Sequence, residues 1–196
     1  MVGSLLFATQ AYGLDAPTKI PTVANAPLFG KATPPVGYVQ FCARGEDECK
    51  SADGHDERFS MSGNRWDLLN QVNTYVNGKI KPASDMDLYH VAEMWIYPVV
   101  AGDCEDYVLL KKRYLVGAGF NADELLITVL LDEHGEGHAV LTVASDAGDF
   151  ILDNRRNEIL RWDKTDYKFL KRQSQLSPRQ WVSLAQKPTQ VLVGTK

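Results

Sequence analysis

Three side chains in this sequence have the types and the order that acyl transfer requires: a cysteine at 104, a histidine at 138 and an aspartate at 153. A sulfur nucleophile needs a base to take its proton, and the base needs a third group to orient it. Cys104 follows Gly102-Asp103, a pair that suits a helix N-cap. Tyr107, Val108, Leu110, Lys111, Tyr114 and Leu115 then recur at helical spacing toward stop signals at Gly117 and Gly119. The first turn of a helix offers unpaired N–H groups and the positive end of the dipole, so this position is expected to favour thiolate over thiol. Asp103, Glu105 and Asp106 stand in the same turn. Their charges oppose a thiolate, so something should neutralise them.

His138 opens a run in which Ala139, Leu141 and Val143 alternate, and Asp153 ends the next run, Phe150-Ile151-Leu152-Asp153. Antiparallel neighbours bring such residues within side-chain contact. On the residues alone, His55, His90 and His134 compete for the role of base, and Asp146 and Asp149 for that of the acid. His134 sits in a glycine-bearing turn and reads as exposed.

The elements that must position these groups follow from periodicity. From Asn64 to Lys81, Trp66, Leu69, Val72, Val76 and Ile80 recur at three- and four-residue steps, which predicts an amphipathic helix closed by Pro82. A more irregular segment runs from Ser84 through Trp95 to Pro98. After the Cys104 helix the period becomes two: Leu125 to Leu131, His138 to Ala144 and Phe150 to Leu152 read as strands separated by turns rich in Gly and Asp. Ile159 to Trp162 and Tyr167 to Leu170 are short strands or loop, and Trp181 to Leu184 and Gln190 to Val193 are candidates to finish the sheet. Helices followed by an antiparallel sheet is an α+β order.

The chain has 196 residues, 44% of them apolar, enough for one core and one domain. A formal charge of -4 supplies no basic field for a nucleic-acid partner, and no apolar run reaches the roughly 18 residues a spanning helix needs. Residues 1-13 end in Ala11-Tyr12-Gly13 and resemble the tail of a signal peptide, although no basic residue precedes the apolar stretch. Residues 14-35 carry five prolines and read as an extended leader, which leaves 36-196 as the domain. Cys42 and Cys49 flank a short charged loop, and a disulfide between them fits a periplasmic or secreted protein while leaving Cys104 free.

Gly102-Asp103-Cys104-Glu105-Asp106-Tyr107, His138-Ala139-Val140-Leu141 and Leu152-Asp153-Asn154 occur in an order that resembles the bacterial transglutaminase-like cysteine peptidases, the LapG-type periplasmic proteases. The resemblance runs from about Phe41 to Leu160 and takes in Trp66, Asn70, Val72, Asn73, Trp95 and Pro98. It implies a papain-like fold, a Cys104–His138–Asp153 triad and calcium held by Asp103 and Glu105, with Asp106 contributing. It further implies a protein or peptide substrate, and it leaves room for a regulatory inner-membrane protein. The alternatives are acyl transfer to an amine and a calcium-dependent interaction module without turnover. The Cys42 to Cys49 element and short leader look like a smaller, alphaproteobacterial-type branch, for which adhesin cleavage is not implied.

Overall fold

The computed structural model describes residues 24–50 and 54–187. Among the described residues, four α-helices lie largely ahead of a seven-stranded antiparallel sheet. The first, α1 (Val36–Ala43), was not foreseen from periodicity; it buries Gly37, Tyr38 and Phe41. Helix α2 (Gly63–Lys79) begins where Ser62 accepts a hydrogen bond from the Arg65 N–H, and it buries Leu69, Asn73 and Val76. A single turn, α3 (Asp85–Tyr89), occupies the segment that read as irregular. Ser84 caps it, and His90 ends it in the left-handed region at φ 58°. Helix α4 (Cys104–Gly117) carries the free cysteine as its first residue.

The large sheet comprises β1 (Lys31–Ala32), β4 (Leu125–Leu131), β5 (Gly137–Ser145), β6 (Gly148–Asp153), β7 (Arg156–Arg161), β8 (Lys168–Ser174) and β9 (Ser177–Ser183), in the order β1-β9-β8-β4-β5-β6-β7. Two further segments, β2 (Lys81–Pro82) and β3 (Ala101–Gly102), form a separate parallel pair. Strands β4 and β5 are buried almost throughout, as continuous apolar runs covered on both faces should be. On one face Val108, Leu109 and Leu115 of α4 and Leu69 of α2 pack against Ile127, Val129, Ala139, Leu141 and Val143. On the other, Leu130, Val140 and Ile151 meet Ala26, Tyr167 and Phe169. Leu109 is fully enclosed, so truncating it to Ala would cost about 2–5 kcal/mol.

Residues 24–35, the end of the expected leader, are laid against this sheet. Ala26 N–H donates to Asp149 Oδ2 at 2.8 Å, and Lys31 and Ala32 pair with Val182 and Trp181. Of the segments 159–162 and 167–170 that read as strand or loop, residues 159–161 belong to β7 and 168–170 to β8, while Trp162 opens a 3₁₀ turn and Tyr167 immediately precedes β8. Residues 1–23 and 190–193 lie outside the described residues. No helix among the described residues is long and apolar enough to cross a membrane.

Candidate active site

Cys104 owes its place to the short β2–β3 pair. Lys81 N–H donates to Val100 O at 2.9 Å and Ala83 N–H to Gly102 O at 3.0 Å, which pins the chain just before α4. Gly102 leaves no room for a side chain, because a Cβ there would stand 2.5 Å from Asp106 Oδ2. Cys104 is buried. Its Sγ–H donates to Glu105 Oε2 at 3.2 Å, and Sγ accepts from the Ala139 N–H of β5 at 3.4 Å.

His138 and Asp153 meet across the β5–β6 hairpin. His138 Nε2 lies 3.0 Å from Asp153 Oδ1, and both side chains are enclosed. Oδ1 also accepts from the Arg155 N–H at 3.0 Å, and Oδ2 accepts from the Tyr167 hydroxyl at 2.5 Å. Burial alone would raise the Asp153 carboxyl, but the His138 bond and charge, with Arg155 N–H and Tyr167, hold it well below the usual carboxylate range. A carboxylate can only accept, so His138 carries its hydrogen on Nε2 in this pair. The opposite nitrogen, Nδ1, is buried and has no hydrogen-bond partner among the described residues.

The acids on the other side of the sulfur are organised differently. Asp103 is the N-cap of α4, yet its side chain does not cap the helix. Both its carboxyl oxygens, with Asp85 Oδ1, Glu105 Oε1 and Asp106 Oδ2, are buried without hydrogen-bond partners among the described residues. Asp85, Asp103 and Asp106 each offer an oxygen within 4.8 Å of the other two. Asp85 is held by the Met94 N–H, and Asp106 Oδ1 accepts from the Ile96 N–H at 2.9 Å, so the intervening loop orients two of the three. Burial, reinforced by neighbouring carboxylates, raises Asp103 to about 7 and Asp106 to about 8, and pushes Glu105 well up.

These charges reverse the expectation drawn for Cys104. Its thiol lies well above its ordinary value because burial, then Glu105 and Asp103, disfavour the thiolate by more than the Ala139 bond favours it. The helix start alone does not activate the sulfur while the acids carry bare charge.

Of the residues singled out from sequence, Cys104, Asp103 and His138 line one cleft of about 240 Å³, together with Pro82, Ala83, Gly102, Glu136, Asn154 and Arg155. A larger cavity of about 780 Å³, between the Cys42 to Cys49 loop and the β8–β9 hairpin, contains neither Cys104 nor His138. The competing residues are placed elsewhere. His134 is exposed in the β4–β5 turn and His55 on the surface near Asp123, while His90 ends α3. Asp149 is tied to Arg58, Arg172 and the Ala26 N–H. Cys42 and Cys49 are joined, with Cα atoms 5.4 Å apart.

Sequence reasoning missed Asp85, Tyr167 and Lys111. Asp85 was one of two acids at the head of an irregular segment, and Tyr167 read as part of a strand or loop. Lys111 counted only as helical periodicity, yet it is fully buried, its Nζ has no hydrogen-bond partner among the described residues, and burial lowers it to about 7.

A buried His–Asp pair on a sheet, sharing a cleft with a cysteine that opens a helix, is the arrangement of papain-like thiol enzymes. The profile of the family described as bacterial transglutaminase-like cysteine proteinase (BTLCP) matches residues 28–189, and the chain belongs to that family. Three structures of Legionella pneumophila LapG are similar to it. One is 26% identical over 55% of this chain and 64% of that one, with a TM-score of 0.49. An EGTA-treated form is 26% identical over 55% and 62%, with a TM-score of 0.48. The alignments to these two span less than two thirds of their length. A calcium-bound form is 24% identical over 79% of this chain and 90% of that one, with a TM-score of 0.50, and it shares the fold. Comparison with curated protein sequences finds no match.

Proposed function

We propose that the chain is a thiol peptidase in which Cys104 is the nucleophile, His138 the base and Asp153 the orienter. The observation that carries this reading is the state of His138: Nε2 is bonded to the buried Asp153, Nδ1 is buried without a hydrogen-bond partner among the described residues, and the residue lines one cleft with Cys104. Nδ1 accepts the sulfur's proton as Sγ attacks a peptide carbonyl carbon, giving a tetrahedral intermediate whose oxyanion is held by the Cys104 N–H at the start of α4. The imidazolium then returns the proton to the departing amine, leaving a thioester. Water, deprotonated by Nδ1, hydrolyses the thioester and restores the thiol.

The reading includes calcium as the neutralising ion. Asp85, Asp103 and Asp106 suit a hard cation, since all three are buried, oxygen-bearing and short of donors. When bound, the ion offsets the carboxylate charge that now disfavours the Cys104 thiolate. Glu105, expected among the ligands, meets Cys104 Sγ through Oε2, while its Oε1 is buried without a hydrogen-bond partner among the described residues and is available to the same ion. The substrate is a protein or peptide in the periplasm or outside the cell, a location supported by the signal-like start and the joined Cys42 and Cys49.

The test compares periplasmic and surface proteins from strains carrying the native chain or Cys104→Ser, read by N-terminal mapping. Fragments present with the native chain and missing with the variant are expected. Identical fragment sets would remove peptidase activity from the reading.

A further inference from the structure

The carboxylate of Asp153 has a second anchor, supplied by a residue outside the three sequence blocks. Tyr167 lies in the connection that leaves β7 and immediately precedes β8; because β8 pairs with β4 and not with β7, that connection crosses over and carries Tyr167 to Asp153 at the end of β6. Its hydroxyl lies 2.5 Å from Asp153 Oδ2, and Arg156 Nη2 donates to the same phenol oxygen at 3.1 Å. A guanidinium has donors only, so the phenol oxygen accepts that bond and its own hydrogen is left for the carboxylate. The Arg156 guanidinium also stacks on the Tyr167 ring at 5.3 Å. The ring in turn meets the His138 imidazole edge to face, with centroids 5.9 Å apart at 70°.

Each oxygen of Asp153 therefore has a fixed task. Oδ2 is taken by Tyr167, with the Arg156 Nε also 3.7 Å from it, and Oδ1 receives His138 Nε2 and the Arg155 N–H. The torsion that rotates a carboxylate is soft, so a single bond to a histidine would leave the pair free to swing. A short O–H···O⁻ bond is among the stronger ones available and removes that freedom.

We propose that Tyr167, oriented by Arg156, is a positioning residue of the catalytic pair: it locks the rotation of the Asp153 carboxylate so that Oδ1 faces His138 and Nδ1 points into the cleft. This rests on the triad reading above. The charged and titratable groups facing Asp153 are His138 from β5, Arg155 and Arg156 from the β6–β7 turn and its following strand, Tyr167, and Lys111 from α4, which acts electrostatically. Losing the phenol hydrogen leaves more of the carboxylate's charge bearing on the imidazole. The carboxylate then holds the protonated imidazole more strongly.

The experiment compares the native chain with Tyr167→Phe, Arg156→Gln and Cys104→Ala at fixed calcium. The readouts are kcat and KM on a cleaved peptide and the pH dependence of Cys104 alkylation by iodoacetamide. Tyr167→Phe keeps the ring and loses the hydroxyl; its kcat is expected to fall roughly 10–100-fold, as when groups that orient histidines are removed, with KM nearly unchanged. The acid limb of the alkylation profile should move up by about half a pH unit or more, and Arg156→Gln should move it the same way by less. A folded Tyr167→Phe with native kcat and an unmoved limb overturns the proposal. If that variant fails to fold, an unmoved limb in Arg156→Gln does so. Full activity in Cys104→Ala would instead overturn the triad reading, which keeps the two failures apart.

Discussion

Buried aspartates stand beside both Cys104 and His138, and the two places are built in opposite ways. Asp153 receives three hydrogen bonds, from His138, Tyr167 and the Arg155 N–H, and lies well below the ordinary carboxylate range. Asp103 receives none on either oxygen from the described residues, and with Asp106 it is pushed up, to about 7 and about 8 respectively. Burial is common to both sides. The supply of donors differs. The His138 side is completed by donors of the chain itself, whereas on the Cys104 side Asp85 and Asp106 each receive one backbone N–H and the remaining gathered oxygens have no donor among the described residues, an arrangement that suits an added cation.

The largest effect should come from dismantling the finished side. Asp153→Ala leaves His138 and Tyr167 buried without their acceptor, and it is expected to cost about 3–5 kcal/mol of stability by urea unfolding. Peptide hydrolysis should fall by roughly 10³-fold or more, since orientation and tautomer are lost together. A variant as stable and as active as the native chain would erase the contrast between the two sides.

On the unfinished side, the sign of the pH dependence separates the two designs. Asp103 and Asp106 titrate higher in the folded chain than their ordinary value of 3.8, so between about pH 4 and 8 the folded state holds more protons than the unfolded one. In excess chelator, stability contributed by these groups is present at low pH and is lost as pH rises through 7 to 8. Asp153 has the opposite sign: its contribution is present above the ordinary value and lost below it. Thermal unfolding with chelator should show a midpoint several degrees lower at pH 8 than at pH 5.5, a difference that calcium abolishes; Asp103→Asn should flatten the slope. An equal midpoint at both pH values in chelator would show that the acids are satisfied without an ion.

A smaller effect is expected behind the pair, at Lys111. Burial holds it at about 7 against an ordinary 10.5, so the unfolded chain binds more protons across that window and stability rises with pH through it. Lys111→Met keeps the volume and removes the buried amine, and should gain about 1–3 kcal/mol at pH 7 while losing the slope. Loss of stability in Lys111→Met would instead show that the ammonium is needed to balance Asp153.

Much of this frame was legible in the sequence. The apolar spacing located α2 and α4, the change to period two located β4 to β6, and Cys104, His138 and Asp153 stood at element ends where side chains meet. What escaped reading depended on non-local pairing. Strand β8 joins β4 rather than β7, which carries Tyr167 to Asp153, and no local pattern encodes that order. Asp85 comes to Asp103 and Asp106 through the parallel β2–β3 contact, two residues long on each side. The acidity of Cys104 was misjudged because a helix N-terminus is a local feature, whereas its burial and the direction of Glu105 belong to the packed molecule.

In the proposed function, His138 and Cys104 act as one unit once the neighbouring acids are neutralised. The most direct measurement is the rate of Cys104 alkylation by iodoacetamide at pH 7 with calcium, followed by intact mass, in the native chain and in His138→Ala. The account predicts a single fast modification at Cys104 in the native protein and a rate at least about 10-fold slower without the histidine. Equal rates in the two proteins would contradict it.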